Sequence, residues 1–231
     1  MPIVFGKDGL TGQTAQQAFG RGNWMAKKER PAIDWLRYEK EALAQGYTAV
    51  CGIDEAGRGP LAGPVYAAAV ILPPGVMIDG VNDSKKLSAK KREALFDVIC
   101  EQAAAYAITC AEVSEIEQLN ILQATFLAMR RAVAELSAAA DFAIVDGNRL
   151  PGLSIPSRAV VSGDASSASV AAASVLAKVS RDRYMLQMDA LYPQYGFAQH
   201  KGYGTALHVE RLREFGPSPI HRMSFLKKIL P

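Results

Sequence analysis

The stretch Thr48–Pro64, TAVCGIDEAGRGPLAGP, decides how the rest of the chain is read: an apolar, strand-forming run enters two adjacent carboxylates and then a Gly-Arg-Gly turn. Val50, Cys51 and Ile53 suit a buried strand, which would deliver Asp54 and Glu55 at its end with one of them close to the core. Burying an unpaired carboxylate is costly, so such a pair requires a metal ion, a basic partner or a shared proton. The plainer alternative is a strand end whose acids face water. Gly57, Gly59 and Gly63 let the backbone approach a ligand, and a turn with free N–H groups suits hydroxyl or phosphate oxygens. Gly57-Arg58-Gly59 followed by Gly63 also has the look of a dinucleotide-binding fingerprint, but that motif needs a helix opening at the turn. Here Pro60 and Pro64 bracket the turn and Val65–Leu72 (VYAAAVIL) reads as a second strand, so a hairpin is expected instead.

At 231 residues, 49% hydrophobic and 21% charged, the chain is long enough for one sizeable domain with appendages. A formal net charge of +3 makes no case for nucleic acid from totals, so local basic clusters must carry any such argument. Cys51, Cys100 and Cys110 are odd in number, show no zinc spacing, and read as small core residues of a reducing compartment. No apolar run approaches the roughly 18 residues of a membrane helix and no secretory signal opens the chain, so a cytoplasmic protein is expected.

Residues 1–24 show no packing pattern and precede Met25-Ala-Lys-Lys, which looks like a natural start; a flexible or vector-derived extension is expected, with a short ordered arm as the alternative. Residues 25–47 are expected to be helical, with an amphipathic helix over Pro31–Gln45 that buries Ile33, Leu36 and Leu43 and ends at Gly46. Asn82–Leu87 (NDSKKL) leads to a helix opening at Ser88, so Ser84, Lys85 and Lys86 place phosphate-compatible donors at a helix N-terminus, while Lys90, Lys91 and Arg92 read as a solvated face. Tyr106–Val113 reads as a strand, and Ser114-Glu-Ile-Glu117 as a capping box opening a helix to about Ala138, with Ile121, Leu122, Phe126 and Met129 inside. Phe142–Asp146 (FAIVD) repeats the opening logic, delivering a second acid before Gly147 and Asn148. After a short strand at Ala159–Val161, Gly163-Asp164 leads into an Ala-rich helix to about Met188; Asp164 on its own could be no more than a helix cap. Alternating strands and helices with one hairpin define an α/β fold with a mixed sheet. Beyond Tyr192, aromatic, glycine and basic residues interleave in loops around a helix at Ala206–Phe215, which suits stacking on sugars or bases or, more simply, a folded cap.

Taken together and in order, Gly52–Pro60 (GIDEAGRGP), Asp83–Leu87 (DSKKL), Val145–Asn148 (VDGN), Ala171–Lys178 (AAASVLAK), His200–Thr205 (HKGYGT) and His221–Phe225 (HRMSF) resemble bacterial ribonuclease HII over about Ala49 to Phe225. The resemblance implies a ribonuclease H-like fold, a five-stranded mixed sheet flanked by helices, with a catalytic core over 48–190 and a helical, substrate-binding C-terminal extension over 191–231. It implies endonucleolytic cleavage of RNA in RNA–DNA hybrids and of single ribonucleotides embedded in duplex DNA, leaving 5'-phosphate and 3'-hydroxyl ends. The protein would act as a monomer, away from membranes.

Position by position, the resemblance makes Asp54, Glu55, Asp146 and Asp164 the catalytic and metal-binding acids, holding two divalent cations, Mn2+ or Mg2+. Asp182 competes with Asp164 but lies about four turns into the helix, where it is expected to pair with neighbouring arginines. The physical chemistry agrees: paired divalent ions suit phosphodiester hydrolysis, and crowded carboxylates supply hard oxygen ligands while titrating as a coupled set. For the substrate, the resemblance assigns Gly57, Arg58, Gly59, Ser84, Lys85, Asn148 and Tyr203. The Gly57–Gly59 main chain would meet the 2'-hydroxyl, and the Tyr203 ring would stack on the following deoxyribose; the alternative for Tyr203 is a buried tyrosine that shapes its loop. Two other classes compete: a non-catalytic binding module of the same fold, and the related ribonuclease HIII, whose large N-terminal domain has no counterpart in the 47 residues before Thr48.

Overall fold

The computed structural model describes residues 33–230, so the expectations for residues 1–24 and for the start of the 25–47 segment lie outside the described residues. Five strands, β1 (Val50–Ala56), β2 (Val65–Ile71), β3 (Ala105–Ala111), β4 (Phe142–Asp146) and β5 (Ser157–Val160), form one sheet. Their order is β3-β2-β1-β4-β5. The hairpin expected after Gly63 is present: β1 pairs antiparallel with β2, which pairs antiparallel with β3. On the other side β1 runs parallel to β4, and β4 to β5. The sheet is therefore mixed, with β1 at its centre.

The helices in chain order are α1 (Arg37–Leu43), α2 (Ala89–Gln102), α3 (Val113–Leu119), α4 (Ile121–Ala134), α5 (Ala168–Leu191), α6 (Phe197–His200), α7 (Ala206–Phe215) and α8 (Met223–Leu226). One face of the sheet, carrying Cys51, Ile53, Ala67 and Ala69, packs on Ala124, Ala128 and Met129 of α4. The opposite face, with Ala56, Ala68 and Val70, packs on α5 and on Leu95 and Ile99 of α2. Covered on both faces, β1 and β2 read as near-continuous apolar runs rather than alternating ones. A side chain at Gly52 would put its Cβ 2.2 Å from the Ser169 carbonyl carbon and the Val170 nitrogen, so α5 rests on β1 at that residue. The small residues of this central hairpin thus let a long helix lie against the strand that ends in the acids.

Several expectations are corrected. The first helix is shorter, Arg37–Leu43, and Ile33 is exposed while Glu39 is buried: its Oε1 accepts from the Ser167 hydroxyl (2.6 Å) and from the Ser169 amide and hydroxyl (3.1 and 2.7 Å). A polar position on a short helix is claimed by the donors at the start of α5, whose cap residue Ser167 hydrogen-bonds to it. The capping box is Glu112 with Glu115, not one at Ser114, and the single long helix is two, split at Asn120, whose φ of 69° breaks the run while its side chain caps α4. Arg92 is not solvated; it donates to the carbonyls of Ser84 (2.9 Å) and Leu87 (2.6 Å) and so holds the Ser84–Lys86 turn. Cys51 is buried, but Cys100 and Cys110 are only half-buried.

The C-terminal part has its own apolar cluster, in which Tyr195, Phe197, Leu212 and Leu226 meet Met185 of α5 and Leu61. It is pinned to the loop after β1 by main-chain hydrogen bonds of 2.8 Å: Leu61 to Gly202, Gly63 to Ile220 and Arg222 to Leu61. The segment that follows the acids is thereby ordered by residues some 140 to 160 positions later in the chain, as the numbering of these partners shows.

Candidate active site

Parallel pairing of β1 with β4 ends at Ile53 and Val145, so Asp54 and Asp146 stand side by side one step further along. Because side chains alternate along a strand, Asp54 and Glu55 leave β1 on opposite faces. Asp54 is buried; Glu55 opens into a groove that also contains Arg58, Asp146, Asn148 and Arg149, floored by Thr125 and Met129 of α4. Asp164 lies in the short 3₁₀ turn Gly163–Ala165 and is buried. That turn is tied to β4 by the Gly163 amide, which donates to Asp146 Oδ1 at 2.7 Å. Asp164 has no capping role here, since Ser167 caps α5.

The four acids share one electrostatic environment. Burial pushes the Asp54 pKa well above the ordinary carboxylate range, and Glu55, Asp146 and Asp164 push it further, against one favourable hydrogen bond from the Glu55 amide to Oδ1 (2.7 Å). Glu55 is raised by burial and by Asp146, with Arg58 pulling the other way from 3.4 Å. Asp164 is raised by burial and by Asp146, with Lys85 Nζ at 3.2 Å from Oδ2 in opposition. Burial works against the Lys85 ammonium, but Asp164, Asp54 and Asp83 outweigh it and raise its pKa. Crowded carboxylates at the carboxyl edge of a sheet, only partly neutralised by the exposed cations of Arg58 and Lys85, form a site short of positive charge.

The donor set fits hard divalent cations, since it consists of carboxylate oxygens without imidazole or thiol. Among the described residues no three His, Cys, Asp or Glu side chains are placed to hold an ion by themselves, so an ion bound here would take further ligands from water and substrate phosphate.

Of the other anticipated residues, Ser84 is buried beside Lys85 in the turn held by Arg92, and Asn148 lines the groove. The two glycines of Gly57-Arg58-Gly59 serve different needs. Gly57 has φ +99°, and a Cβ there would fall 2.0 Å from Arg181 Nε; at Gly59 a Cβ would meet only Tyr203 Cε1, at 3.8 Å. Tyr203 is 44% exposed, which removes the buried-tyrosine alternative, and its ring stands over the Arg181 guanidinium at 5.9 Å. Asp182 pairs with Lys178 (2.6 Å) and with Arg92 of α2 (3.6 Å), not with its neighbouring arginines.

Sequence reading missed the two buried arginines beneath this loop. Arg222 donates to the carbonyls of Gly57 (2.7 Å), Arg58 (3.0 Å), Pro60 (2.9 Å) and Gly63 (2.8 Å), and Arg181 to those of Ala62 (3.0 Å), Pro64 (3.3 Å) and Lys201 (3.1 Å). Drawing the carbonyls inward leaves the outer side of the turn to its amides. Burial lowers the Arg222 pKa to about 9, yet four hydrogen bonds to fixed carbonyls keep the guanidinium in place. Only a motif comparison, His221-Arg222-Met-Ser-Phe225, could have pointed to Arg222.

Fold and acid cluster together define an endonuclease of the ribonuclease H type. The family model described as Ribonuclease HII matches residues 51–228. The chain belongs to the ribonuclease HII family, endoribonucleases acting on RNA–DNA hybrids. It is similar to the ribonuclease HII of Dechloromonas aromatica (62% identity over 176 residues, 76% of this chain and 90% of that protein). It is also similar to that of Caldicellulosiruptor saccharolyticus (50% over 197 residues, 85% and 96%). Among solved structures, the ribonuclease H2 of Pyrococcus horikoshii superposes with a TM-score of 0.66 at 26% identity, covering 79% of this chain and 97% of that one. Bst-RNase HIII in complex with Mn2+ shares the fold, with a TM-score of 0.61 at 20% identity over 73% of this chain and 63% of that one.

Proposed function

We propose that this chain is a divalent-cation-dependent endonuclease that cuts the RNA strand of hybrids and also cuts 5' of single ribonucleotides embedded in duplex DNA, leaving 5'-phosphate and 3'-hydroxyl ends. The observation that carries the reading is the meeting of Asp54, Glu55, Asp146 and Asp164 beside the Gly57–Gly59 turn, which Tyr203 flanks. When bound, two Mn2+ or Mg2+ ions would supply positive charge against the reacting phosphate and favour a deprotonated water. Asp54 and Asp146, inside the cluster, would hold them, with Glu55 and Asp164 completing the set. Arg58 and Lys85 neutralise the outer acids and have the exposure to move onto phosphate oxygens of the substrate strand.

The amides of the Gly57–Gly59 turn face a sugar without intervening side chains, and Tyr203 offers a ring to the next deoxyribose and a hydroxyl to the 2'-oxygen. Asn148 and Ser84 border the same strand path. On this reading residues 48–190 form the catalytic core, 191–231 carry substrate contacts, and the protein works as a monomer in the cytoplasm. Among the described residues no helix is long and apolar enough to cross a membrane.

The test is cleavage of an end-labelled DNA duplex holding one ribonucleotide, beside a continuous RNA–DNA hybrid, with and without divalent ions. Incision 5' of the ribonucleotide that stops in excess chelator is expected. Cleavage in chelator, or a 3'-phosphate product, would refute the mechanism.

A further inference from the structure

Three buried histidines lie behind the Tyr203 loop, and their partners leave one consistent arrangement of protons. The Ser218 amide donates to His221 Nδ1 at 2.8 Å, so His221 carries its proton on Nε2. His221 Nε2 is 2.9 Å from His208 Nε2, which must then accept, placing the His208 proton on Nδ1. His208 Nδ1 in turn reaches the Tyr203 carbonyl at 2.9 Å. Alongside, His200 accepts from the Gly202 amide on Nδ1 (3.2 Å) and donates from Nε2 to the Tyr195 carbonyl (2.8 Å), while its ring stacks on His208 with centroids 4.3 Å apart. The Tyr203 amide donates to the His200 carbonyl at 2.9 Å.

We propose that His208 and His221 are positioning residues: a one-way hydrogen-bond relay from the Ser218 amide through His221 and His208 to the Tyr203 carbonyl sets the Tyr203 ring beside Gly59, and so sets selectivity for embedded ribonucleotides. The relay works only with both imidazoles neutral, since a proton on His208 Nε2 would face the His221 N–H. Burial, which pushes both pKa values down to about 4, keeps them neutral. Loops that place a residue on a ligand are ordinarily mobile, and this one is held at both the amide and the carbonyl of the residue concerned. The inference rests on reading Tyr203 as the residue that meets the sugar.

The experiment compares single-turnover cleavage of an embedded ribonucleotide with cleavage of a continuous hybrid, and takes the ratio of the two rates. His208→Asn offers an amide at the Nδ1 position and can still donate to the Tyr203 carbonyl, whereas His208→Gln reaches the His221 side instead. His208→Asn is expected to keep the wild-type ratio within about twofold and His208→Gln to lose about fivefold of it, the scale of one net hydrogen bond, because the Tyr203 carbonyl keeps the Thr205 amide (2.8 Å) as its other donor. Thermal melts accompany both, because a general loss of stability lowers both rates and leaves the ratio alone. Equal ratios for the two variants, with Tyr203→Ala collapsing the ratio, overturn the relay. An unchanged ratio in Tyr203→Ala overturns the reading of Tyr203 itself and the selectivity role with it. Nitrogen-15 imidazole shifts of the unaltered protein supply an arm free of substitutions: His208 as the Nδ1–H tautomer with His200 and His221 as Nε2–H is expected, and His208 as Nε2–H overturns the relay whatever the variants do.

Discussion

Replacing Asp54 by Asn should inactivate the protein and at the same time make it more stable. Asn keeps an oxygen where Oδ1 accepts the Glu55 amide at 2.7 Å, so the change removes charge and little else. The sign follows from the pKa: Asp54 is raised well above its ordinary value, first by burial and then by Glu55, Asp146 and Asp164. The charged form is therefore disfavoured in the folded state; its cost is absent below the unfolded pKa, grows as pH rises towards the folded pKa, and is complete above it. With an effective dielectric of about 20, a like charge about 6 Å away costs roughly 3 kcal/mol. Arg58 on Glu55 (3.4 Å) and Lys85 on Asp164 (3.2 Å) offset part of the field. About 1–2 kcal/mol should remain, or roughly 2–8 °C in Tm for a domain of this size. The assay is thermal unfolding in chelator, repeated in Mg2+ or Mn2+, which should raise the wild-type Tm and leave the variant nearly unmoved. Cleavage should fall by roughly a thousandfold or more while hybrid binding stays within a few-fold. A Tm in chelator below wild type, or retained cleavage, would refute the picture of a repelling, ion-holding cluster.

Gly52→Ala should cost about 3 kcal/mol or more, because its Cβ would meet α5 backbone at 2.2 Å and neither element can yield; an unchanged urea midpoint would contradict that contact. Gly59→Ala has ordinary room at 3.8 Å from Tyr203, so Tm should hold within about 2 °C while cleavage at an embedded ribonucleotide drops; a stability loss with full cleavage would make Gly59 structural. Arg222→Lys should destabilise by about 2–4 kcal/mol, since an ammonium cannot serve the four carbonyls of Gly57, Arg58, Pro60 and Gly63, and equal melting curves would show the clamp to be idle. The contribution of His208 and His221 to folding stability should fall as pH drops from about 6.5 towards about 4: they resist protonation when folded and accept it when unfolded, so at these two sites the unfolded chain binds more protons, against the opposite trend of the raised Asp54, Glu55 and Asp164. The loss is on the order of 3 kcal/mol for each imidazole, and denaturation at stepped pH should show it shrink in a His208→Asn, His221→Asn double variant.

By itself the sequence determined the elements whose signal is local. The run Val50–Ile53 before Asp54 and Glu55, its repeat at Phe142–Asp146, and Pro60 and Pro64 around the turn were enough to predict the mixed sheet and the acids at its edge, because a buried strand ending in a carboxylate has few physical solutions. The ordered motifs added Asp164 and Tyr203 by resemblance, which no periodicity could have supplied. Tertiary structure decided what depends on distant partners. Glu39 turned inward because Ser167 and Ser169 needed an acceptor, and Arg92 because the Ser84–Lys86 turn offered free carbonyls. Asn120 broke a helix that propensity alone would have continued, by adopting a positive φ and capping the next one. Arg181 and Arg222 find their acceptors only when α5 and the C-terminal segment close on the loop after β1, joining residues more than a hundred positions apart, while the histidine relay forms by the folding of the C-terminal segment on itself. A charged residue reads as solvated until its acceptors are known, and here those acceptors were main-chain carbonyls, which leave no mark in the sequence.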